Sequence, residues 1–425
     1  MIYPNYFDNN ETQEKIIDLY RQLEDFILRD IAGRLLKNSS MTATADRLIW
    51  RLQQMGESRE EIMRKLQDIT KLSRKELRAL LQDAVLTSWE DEKPFYESLG
   101  VAVSNPLENA EVVRIMDAQY RKSLGELSNL TRTTMEQSQK DLMDMLSEMD
   151  MQIAFGVKSP TTAVCEILDR YAGQGVYVNY PTGTRRTLEA AVRLCVTTSA
   201  MQMTGQITAQ YIGQYGVEYV CTSAHMGARV AQKGQPPLAG HDNWQGKIFK
   251  IKGNEPGFPN LLESTGYDIV DGTGKVVNPL GLYGYNCKHS VQPCSKDSPN
   301  RWRDKDNNLI IGGERVDSEK NRKAYEVSQK ARYMERSIRE TKRKLLMKEK
   351  EINGVAETDV KEILQPEYDK LAYKLRTQNQ RYNEFCEANG LKKQYERIKK
   401  SGFGRKQSAK ANGAATRYQN QHKGS

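Results

Sequence analysis

The sequence predicts a mainly α-helical protein with a small central α+β module. Apolar residues recur at three- and four-residue steps near both ends of the chain, which is typical of amphipathic helices. Between about 176 and 300 the chain changes to short β-rich segments separated by dense Gly and Pro, which indicates strands and turns. The last 34 residues are basic and poor in apolar side chains. We therefore expect a helical N-terminal region, a central module, a C-terminal helical hairpin and a disordered basic tail.

Local signals divide the first hundred residues into short helices. Gly56 is a natural residue to end a helix. Two capping boxes follow, Ser58 with Glu61 and Ser73 with Glu76, and each pair can satisfy backbone donors at a helix start. These signals predict several short helices joined by turns, as in a small helical domain.

The central module is expected to combine one long helix with short strands. Strand-like runs occupy 176–180, 217–221 and 247–251, and the periodicity between the first two predicts a helix over 187–215. Gly and Pro are dense from 227 to 284, so much of the module is expected to be loop.

These shifts in pattern predict five consecutive regions. Apolar residues at seam spacing on both sides of Gly354 favour a hairpin or coiled coil near the C-terminus. The predicted regions are an N-terminal helical domain at 1–100, a helical connector at 101–175, the central α+β module at 176–316, the helical hairpin or coiled coil at 317–400 and the disordered basic tail at 401–425.

The net charge of +9 resides in the C-terminal segment. From Lys392 to Ser425 there are ten basic residues and one acidic residue, Glu396, so the first 391 residues are formally neutral. A disordered basic arm binds phosphate backbones without reading sequence. The alternative is a solvated, solubilising terminus. The side chains expected to bind DNA are Lys399, Lys400, Arg405, Lys406, Lys410 and Arg417.

Composition excludes several classes of protein. No run of about 18 apolar residues is present, which excludes a membrane-spanning helix. The N-terminus lacks the basic start and apolar stretch of a secretory signal. Six cysteines at irregular spacing do not predict a disulfide framework, so reduced thiols are expected.

Residue types that bind metals or carry out catalysis concentrate between 221 and 294. Three of the four histidines and three of the six cysteines lie there. One hypothesis is a tetrahedral zinc site with nitrogen and sulfur ligands. However, the Cys-x-His step is not a zinc-finger spacing, and no Cys-x-x-Cys pair is present. The candidate zinc ligands are Cys221, His225, Cys287, His289 and Cys294.

Two other hypotheses compete with the zinc site. In a hydrolase or nuclease, a histidine acts as general base while an arginine stabilises the phosphoryl transition state. The groups for such a site would come from His225, Arg229, His241 and Asn286. No carboxylate cluster that could hold a pair of metal ions accompanies them in the sequence. In the structural hypothesis, the same polar side chains satisfy buried backbone groups in a loop-rich module, and no cofactor is needed.

Three segments, taken in order, resemble a known family. Thr222–Arg229 reads TSAHMGAR, His241–Phe249 reads HDNWQGKIF and Pro279–Ser290 reads PLGLYGYNCKHS. They resemble the patterns SAH-x-GAR, H-x-x-WQGK-x-F and G-x-N-C-R-H of the phage minor capsid protein 2 family, with Lys288 where arginine is commoner. The resemblance extends over roughly 10–300. The motif residues are Ser223, His225, Arg229, His241, Trp244, Gln245, Gly246, Asn286, Cys287 and His289.

One departure from the family pattern bears on the site. Family members usually carry a short Arg-Pro-x-His link, whereas 230–240 intervenes here between Arg229 and His241. The motif alone therefore does not place His241 beside His225. The family is in turn distantly similar to Mu-type head morphogenesis proteins, which hold analogous positions in a small α+β module.

The resemblance implies a minor structural protein of a tailed phage or prophage. It implies few copies near the portal vertex, a role in head morphogenesis or DNA packaging, and contacts with portal and other capsid proteins. We also expect a location in the virion and assembly in the bacterial host cytoplasm. The expected partners include nonspecific DNA, bound through the basic tail, and no membrane. The alternative is a virion-carried nuclease or toxin-like enzyme that uses His225, Arg229 and His241.

Overall fold

The computed structural model describes Tyr6 and residues 10–39, 44–101, 105–155, 158–180 and 182–422. Helices dominate these residues, and β-structure is confined to short strands. The α-helices of the described residues are, in chain order, α1 (Glu11–Ser39), α2 (Thr44–Ser98), α3 (Ala110–Ala154), α4 (Pro160–Gln174), α5 (Leu188–Tyr215), α6 (Leu261–Thr265), α7 (Ser318–Gly354), α8 (Thr358–Ala388), α9 (Tyr395–Ile398) and α10 (Arg405–Gln421).

The strands form small antiparallel sheets. Three of them make one sheet in the order β4-β3-β7, and the others pair as β1 with β2, β5 with β6 and β8 with β9. The strands are β1 (Tyr177–Asn179), β2 (Arg185–Thr187), β3 (Tyr219–Thr222), β4 (Ile248–Lys250), β5 (Tyr267–Asp268), β6 (Lys275–Val276), β7 (Val291–Cys294), β8 (Ile310–Ile311) and β9 (Glu314–Arg315). The predicted fold class, mainly α with a small α+β module, is confirmed.

The three-stranded sheet is organised around the buried strand β3. Val220 faces Phe249 of β4 and Pro293 of β7 in the register, and both neighbours run antiparallel to β3. Proline lacks a backbone N–H donor and is therefore unfavourable inside a sheet. Pro293 is tolerated because β7 lies at the sheet edge. The strand β7 was not predicted from the sequence.

The predicted division of the first hundred residues into short helices is wrong. Helix α2 continues through Gly56 and through both predicted capping boxes. Instead of capping a helix start, Ser58 Oγ donates to Asp30 Oδ2 of α1 at 2.6 Å, and Ser73 Oγ donates to the Thr70 carbonyl. A glycine inside a helix costs only about 1 kcal/mol, which packing of the surrounding residues can offset.

The chain forms two compact units, each assembled from three separate segments. The first unit contains Met1–Lys15, Arg74–Glu126 and Arg193–Lys330, and therefore holds the three-stranded sheet. The second contains Ile16–Ser73, Leu127–Val192 and Ala331–Ser425. The five consecutive regions expected from the sequence stay a prediction about organisation along the chain.

The C-terminal part of the second unit contains the expected helical hairpin, made of α7 and α8. Their apolar seams pack together, and Gln378 of α8 donates to Ser337 of α7 at 2.7 Å. Supercoiling of the hairpin stays a prediction. Its core includes Ile338, Leu345, Tyr368, Leu375 and Tyr382, as the seam spacing predicted.

The predicted disordered tail is wrong for most of its length, because 405–421 forms helix α10. Ala411, Ala414 and Ala415 of α10 are buried in the hairpin core. The segment is poor in large apolar residues, but alanines at this spacing let a helix approach α8 closely. The alanines therefore form a buried face of α10, which the low apolar content of the segment did not predict.

Several cations predicted to bind DNA pair with carboxylates inside the second unit. These ion pairs use side chains that the prediction had left free for phosphate. The pairs are Lys399 with Asp18 at 2.9 Å, Lys400 with Glu24 at 2.9 Å, Lys410 with Glu349 at 2.9 Å and Arg417 with Asp369 at 2.8 Å. Arg405 and Lys406 are exposed at the start of α10. No helix in the described part of the chain has the length and apolar character needed to cross a membrane.

Candidate functional site: a buried imidazole cluster

The sheet brings the three motif segments together at one end. The first segment begins at the last residue of β3, the second runs into β4, and the third ends just before β7. Because both neighbours are antiparallel to β3, the residues after β3 lie beside the residues before β4 and β7. Ser223 N–H donates to the Ser290 carbonyl at 2.8 Å, and Thr222 Oγ1 donates to the Trp244 carbonyl at 2.9 Å. The sheet register thus explains why these distant segments form one site.

Three histidine rings and one indole pack together at this end of the sheet. The ring centroid of His289 lies 4.5 Å from that of His225, 5.2 Å from that of His241 and 4.8 Å from that of Trp244. His241 also contacts Trp244, with centroids 4.6 Å apart. His289, His241 and Trp244 are buried, and His225 is partly exposed. We call these four residues the imidazole cluster.

Gln245 joins the first and third motif segments through one oxygen. Its Oε1 accepts the His225 backbone N–H at 3.0 Å and lies 3.3 Å from His289 Nε2. Its side chain is fully buried, so these bonds replace water that the groups would otherwise contact. Ser290 N–H donates to Ser223 Oγ at 3.0 Å, which adds a second link between the same segments.

The 230–240 insertion does not displace His241 from the cluster. Asp242 N–H donates to the Arg229 carbonyl at 3.3 Å, which closes the inserted residues into a loop. His241 Nε2 lies 2.9 Å from the Leu280 carbonyl, and Arg229 Nη1 donates to the same carbonyl at 3.1 Å. Arg229 also donates to the Tyr285 carbonyl. Arg229 therefore binds the third motif segment itself.

Burial sets the protonation of the cluster. Desolvation, with the nearby Arg229, lowers the pKa of His241 to about 3. Desolvation, with the neighbouring His225 and His241, lowers the pKa of His289 well below its ordinary value. Burial raises the pKa of the Cys287 thiol to about 11. The two buried imidazoles are thus neutral at neutral pH, and the thiol by itself stays protonated.

The predicted zinc ligands separate into two places. Cys287 and His289 lie together, with Cys287 Sγ 3.8 Å from His289 Nδ1, and His225 stacks on His289. Cys221 and Cys294 instead pack with Tyr219 in an apolar cluster on the sheet. Of the described residues, His241, Cys287 and His289 form the group whose ligand atoms lie close enough to hold one ion. The structure therefore places the two strand cysteines apart from this group, and it brings in His241, which the predicted ligand set did not include.

Asn286 and Gly246 act through their backbones. Asn286 is exposed and has a φ of 56°, a left-handed conformation that asparagine tolerates better than most residues. Gly246 has a φ of 65°, and a Cβ there would lie 2.9 Å from Trp302. Both residues shape turns that lead into neighbouring motif positions. The predicted catalytic grouping of Asn286 with the histidines has no contact supporting it among the described residues.

Two residues outside the motifs support the site and were missed in the sequence. Asn321 of α7 accepts the Ala228 N–H at 2.9 Å and donates to the Ala228 carbonyl at 3.0 Å. Arg303 donates to the Gly246 carbonyl at 2.9 Å and to the Gln245 carbonyl at 3.2 Å. Neither residue stands in a local pattern that signals this role, because their partners are backbone groups far along the chain.

The sequence model described as phage minor capsid protein 2 matches residues 2–387. The chain belongs to the phage minor capsid protein 2 family. Family membership supports a structural role in a phage particle and a location in the virion. No curated protein and no solved structure matches this minor capsid family member.

Proposed function

We propose that this protein is a minor head-morphogenesis component that acts near the portal in capsid assembly or DNA packaging. The motif residues serve as an internal scaffold in this proposal. They hold the loops of the central module in one shape so that exposed surfaces can contact portal and other capsid proteins.

The observation that carries the proposal is that the motif side chains form hydrogen bonds with main-chain groups. His241 lies against the Leu280 carbonyl, Arg229 donates to two carbonyls of the third-motif loop, and Gln245 accepts a backbone N–H. Each such bond contributes about 0.5–1.5 kcal/mol to stability, so together these bonds favour one loop arrangement. Side chains used in this way stabilise a shape, which is what an assembly component requires.

The nuclease or toxin-like alternative needs an open cleft around its histidines. His241 and His289 are buried, and Arg229 is engaged with backbone carbonyls. A nearby surface pocket of about 420 Å³ is lined by other residues, including Lys122, Lys275 and Tyr285. A general base must reach its substrate within hydrogen-bond distance, so this geometry favours the structural role.

The proposed function includes nonspecific DNA contact through Arg405 and Lys406. Both are exposed at the start of α10, whereas the other predicted DNA-binding cations pair with carboxylates. Replacing both with serine should flatten the slope of log affinity against log salt by about two. An unchanged slope would reject DNA contact at this position.

The experiment for the proposed function removes the gene from the phage or prophage and examines the particles. We expect aberrant heads or heads that lack packaged DNA, with recovery when the wild-type protein is supplied in trans. The full-length Gln232→Met variant, altered at an exposed residue, is a control that should also restore assembly. Normal heads with normal DNA and portal content in the absence of the protein would reject the proposal.

A further inference from the structure

One buried group of side chains has the chemistry of a metal site. His241, Cys287 and His289 each offer one ligand atom, and these atoms lie within 4.8 Å of one another. All three residues are at most 2% exposed. Cys287 Sγ and His289 Nδ1 are 3.8 Å apart, close to the roughly 3.5 Å that tetrahedral geometry gives for sulfur and nitrogen ligands of one zinc.

Hydrogen bonds fix which ring nitrogen of each histidine is available. The Leu280 carbonyl can only accept, so His241 Nε2 carries the proton and Nδ1 keeps its lone pair. Gln245 Oε1 accepts the His225 N–H, so His289 Nε2 must donate to that oxygen and Nδ1 again keeps its lone pair. Histidines that bind metals usually donate their second ring N–H to a carbonyl or carboxylate in this way.

The sulfur also has a suitable environment. Cys287 Sγ accepts the His289 backbone N–H at 3.4 Å, a bond that stabilises a thiolate. Without a metal, the protonated thiol has two other partners, His289 Nδ1 at 3.8 Å and the His289 carbonyl at 3.7 Å. The nearby Arg229 opposes a dication, so binding requires the negative thiolate form of Cys287.

A buried donor beside the group points independently to a ligand. Gln245 is fully buried, and its Oε1 is held at the cluster, but Nε2 makes no hydrogen bond within the described part of the chain. An unsatisfied buried donor costs about 1–3 kcal/mol. A water that enters beside the imidazole cluster would give this donor an acceptor.

We propose that His241 Nδ1, Cys287 Sγ and His289 Nδ1 bind one zinc ion, with a water or hydroxide in the fourth position. Nitrogen and sulfur ligands suit zinc and disfavour magnesium and calcium, which prefer oxygen. The ion would join the loops before β4 and β7 and strengthen the scaffold. This inference goes beyond the proposed function, because a capsid role does not itself require a metal.

The test loads the full-length protein with zinc, removes unbound metal and measures zinc by elemental analysis. We expect about one zinc per chain in the wild type and at least a tenfold lower content in Cys287→Ser. Cys221→Ser is the matched control, because Cys221 is a buried thiol outside the group, and it should keep its zinc. Folded wild type without zinc, or equal zinc in Cys287→Ser, would overturn the proposal.

A second measurement keeps the test decisive if Cys287→Ser fails to fold. Wild-type protein loaded with cobalt(II) should show a thiolate-to-cobalt charge-transfer band, and absence of that band would overturn the site. These assays use isolated protein, whereas the proposed function is tested by particle assembly. A negative metal result would therefore leave the capsid role standing, and normal particles without the protein would leave the metal site standing.

Discussion

At the scale of single residues, the motif side chains act mainly on the backbone. Gln245, Arg229 and His241 each contact a main-chain group of another segment. The sequence could identify these residues because their types and order match a family pattern. It could not identify their partners, because any residue can supply a carbonyl such as that of Leu280.

Replacing Gln245 with methionine should lower the free energy of unfolding by about 2–4 kcal/mol. The change keeps the side-chain volume but leaves the partly buried His225 N–H and the buried His289 Nε2–H without an acceptor. Denaturant unfolding of the purified protein measures the loss. Gln232→Met, at an exposed position, should change stability by less than about 0.5 kcal/mol. Equal stability of the two variants would contradict the role given to Gln245.

Substitutions at Asn286 can distinguish a conformational role of this residue from a catalytic one. Its φ of 56° predicts that Asn286→Ala lowers stability by about 1–2 kcal/mol, whereas Asn286→Gly is tolerated. Thermal unfolding of both variants is the measurement. If glycine were as damaging as alanine, the side chain rather than the backbone conformation would be what matters at this position.

At the scale of elements, periodicity predicted α5 and the C-terminal hairpin, but local signals wrongly divided the long helix α2. The hairpin seam and α5 follow from apolar spacing, β4 lies within its predicted run, and β3 extends one residue beyond its predicted run. Gly56 and the two capping boxes failed as boundaries, because tertiary packing outweighs a local signal of about 1 kcal/mol. Strand β7 was missed, since Pro293 argues against a strand unless its edge position is known.

Helix α10 should be a stabilising part of the second unit. Ala414→Asp places a charge in the hairpin core and should lower the free energy of unfolding by about 3 kcal/mol or more. Ala409→Asp, on the exposed face of the same helix, should change it by less than about 1 kcal/mol. Denaturant unfolding compares the two. Similar effects would mean that the tail does not pack on the hairpin.

Lys342 on α7 predicts a pH dependence of stability. Burial, with the nearby Arg339, lowers the pKa of Lys342 from 10.5 to about 8, while its Nζ donates to the Ile398 carbonyl at 2.7 Å. Between those values the unfolded chain binds more protons, so stability contributed by this group rises as the pH increases from about 8 to 10.5. Denaturant unfolding at several pH values should show this rise in the wild type relative to Lys342→Met. Parallel pH profiles would contradict it.

At the scale of the whole molecule, two discontinuous units could not be predicted from local patterns. Each unit collects three separate segments, so its composition depends on contacts between distant parts of the chain. The charge pattern was misleading for the same reason. The excess of basic residues in the last segment suggested a free arm, but Lys400 and Arg417 pair with acids far away in sequence.

Counting this chain in purified phage particles tests the central claim most directly. Quantitative mass spectrometry should find it in every preparation at a copy number far below that of the major capsid protein and comparable to that of the portal protein. Absence from washed, DNA-filled particles, or a copy number equal to that of the major capsid protein, would contradict a minor structural role.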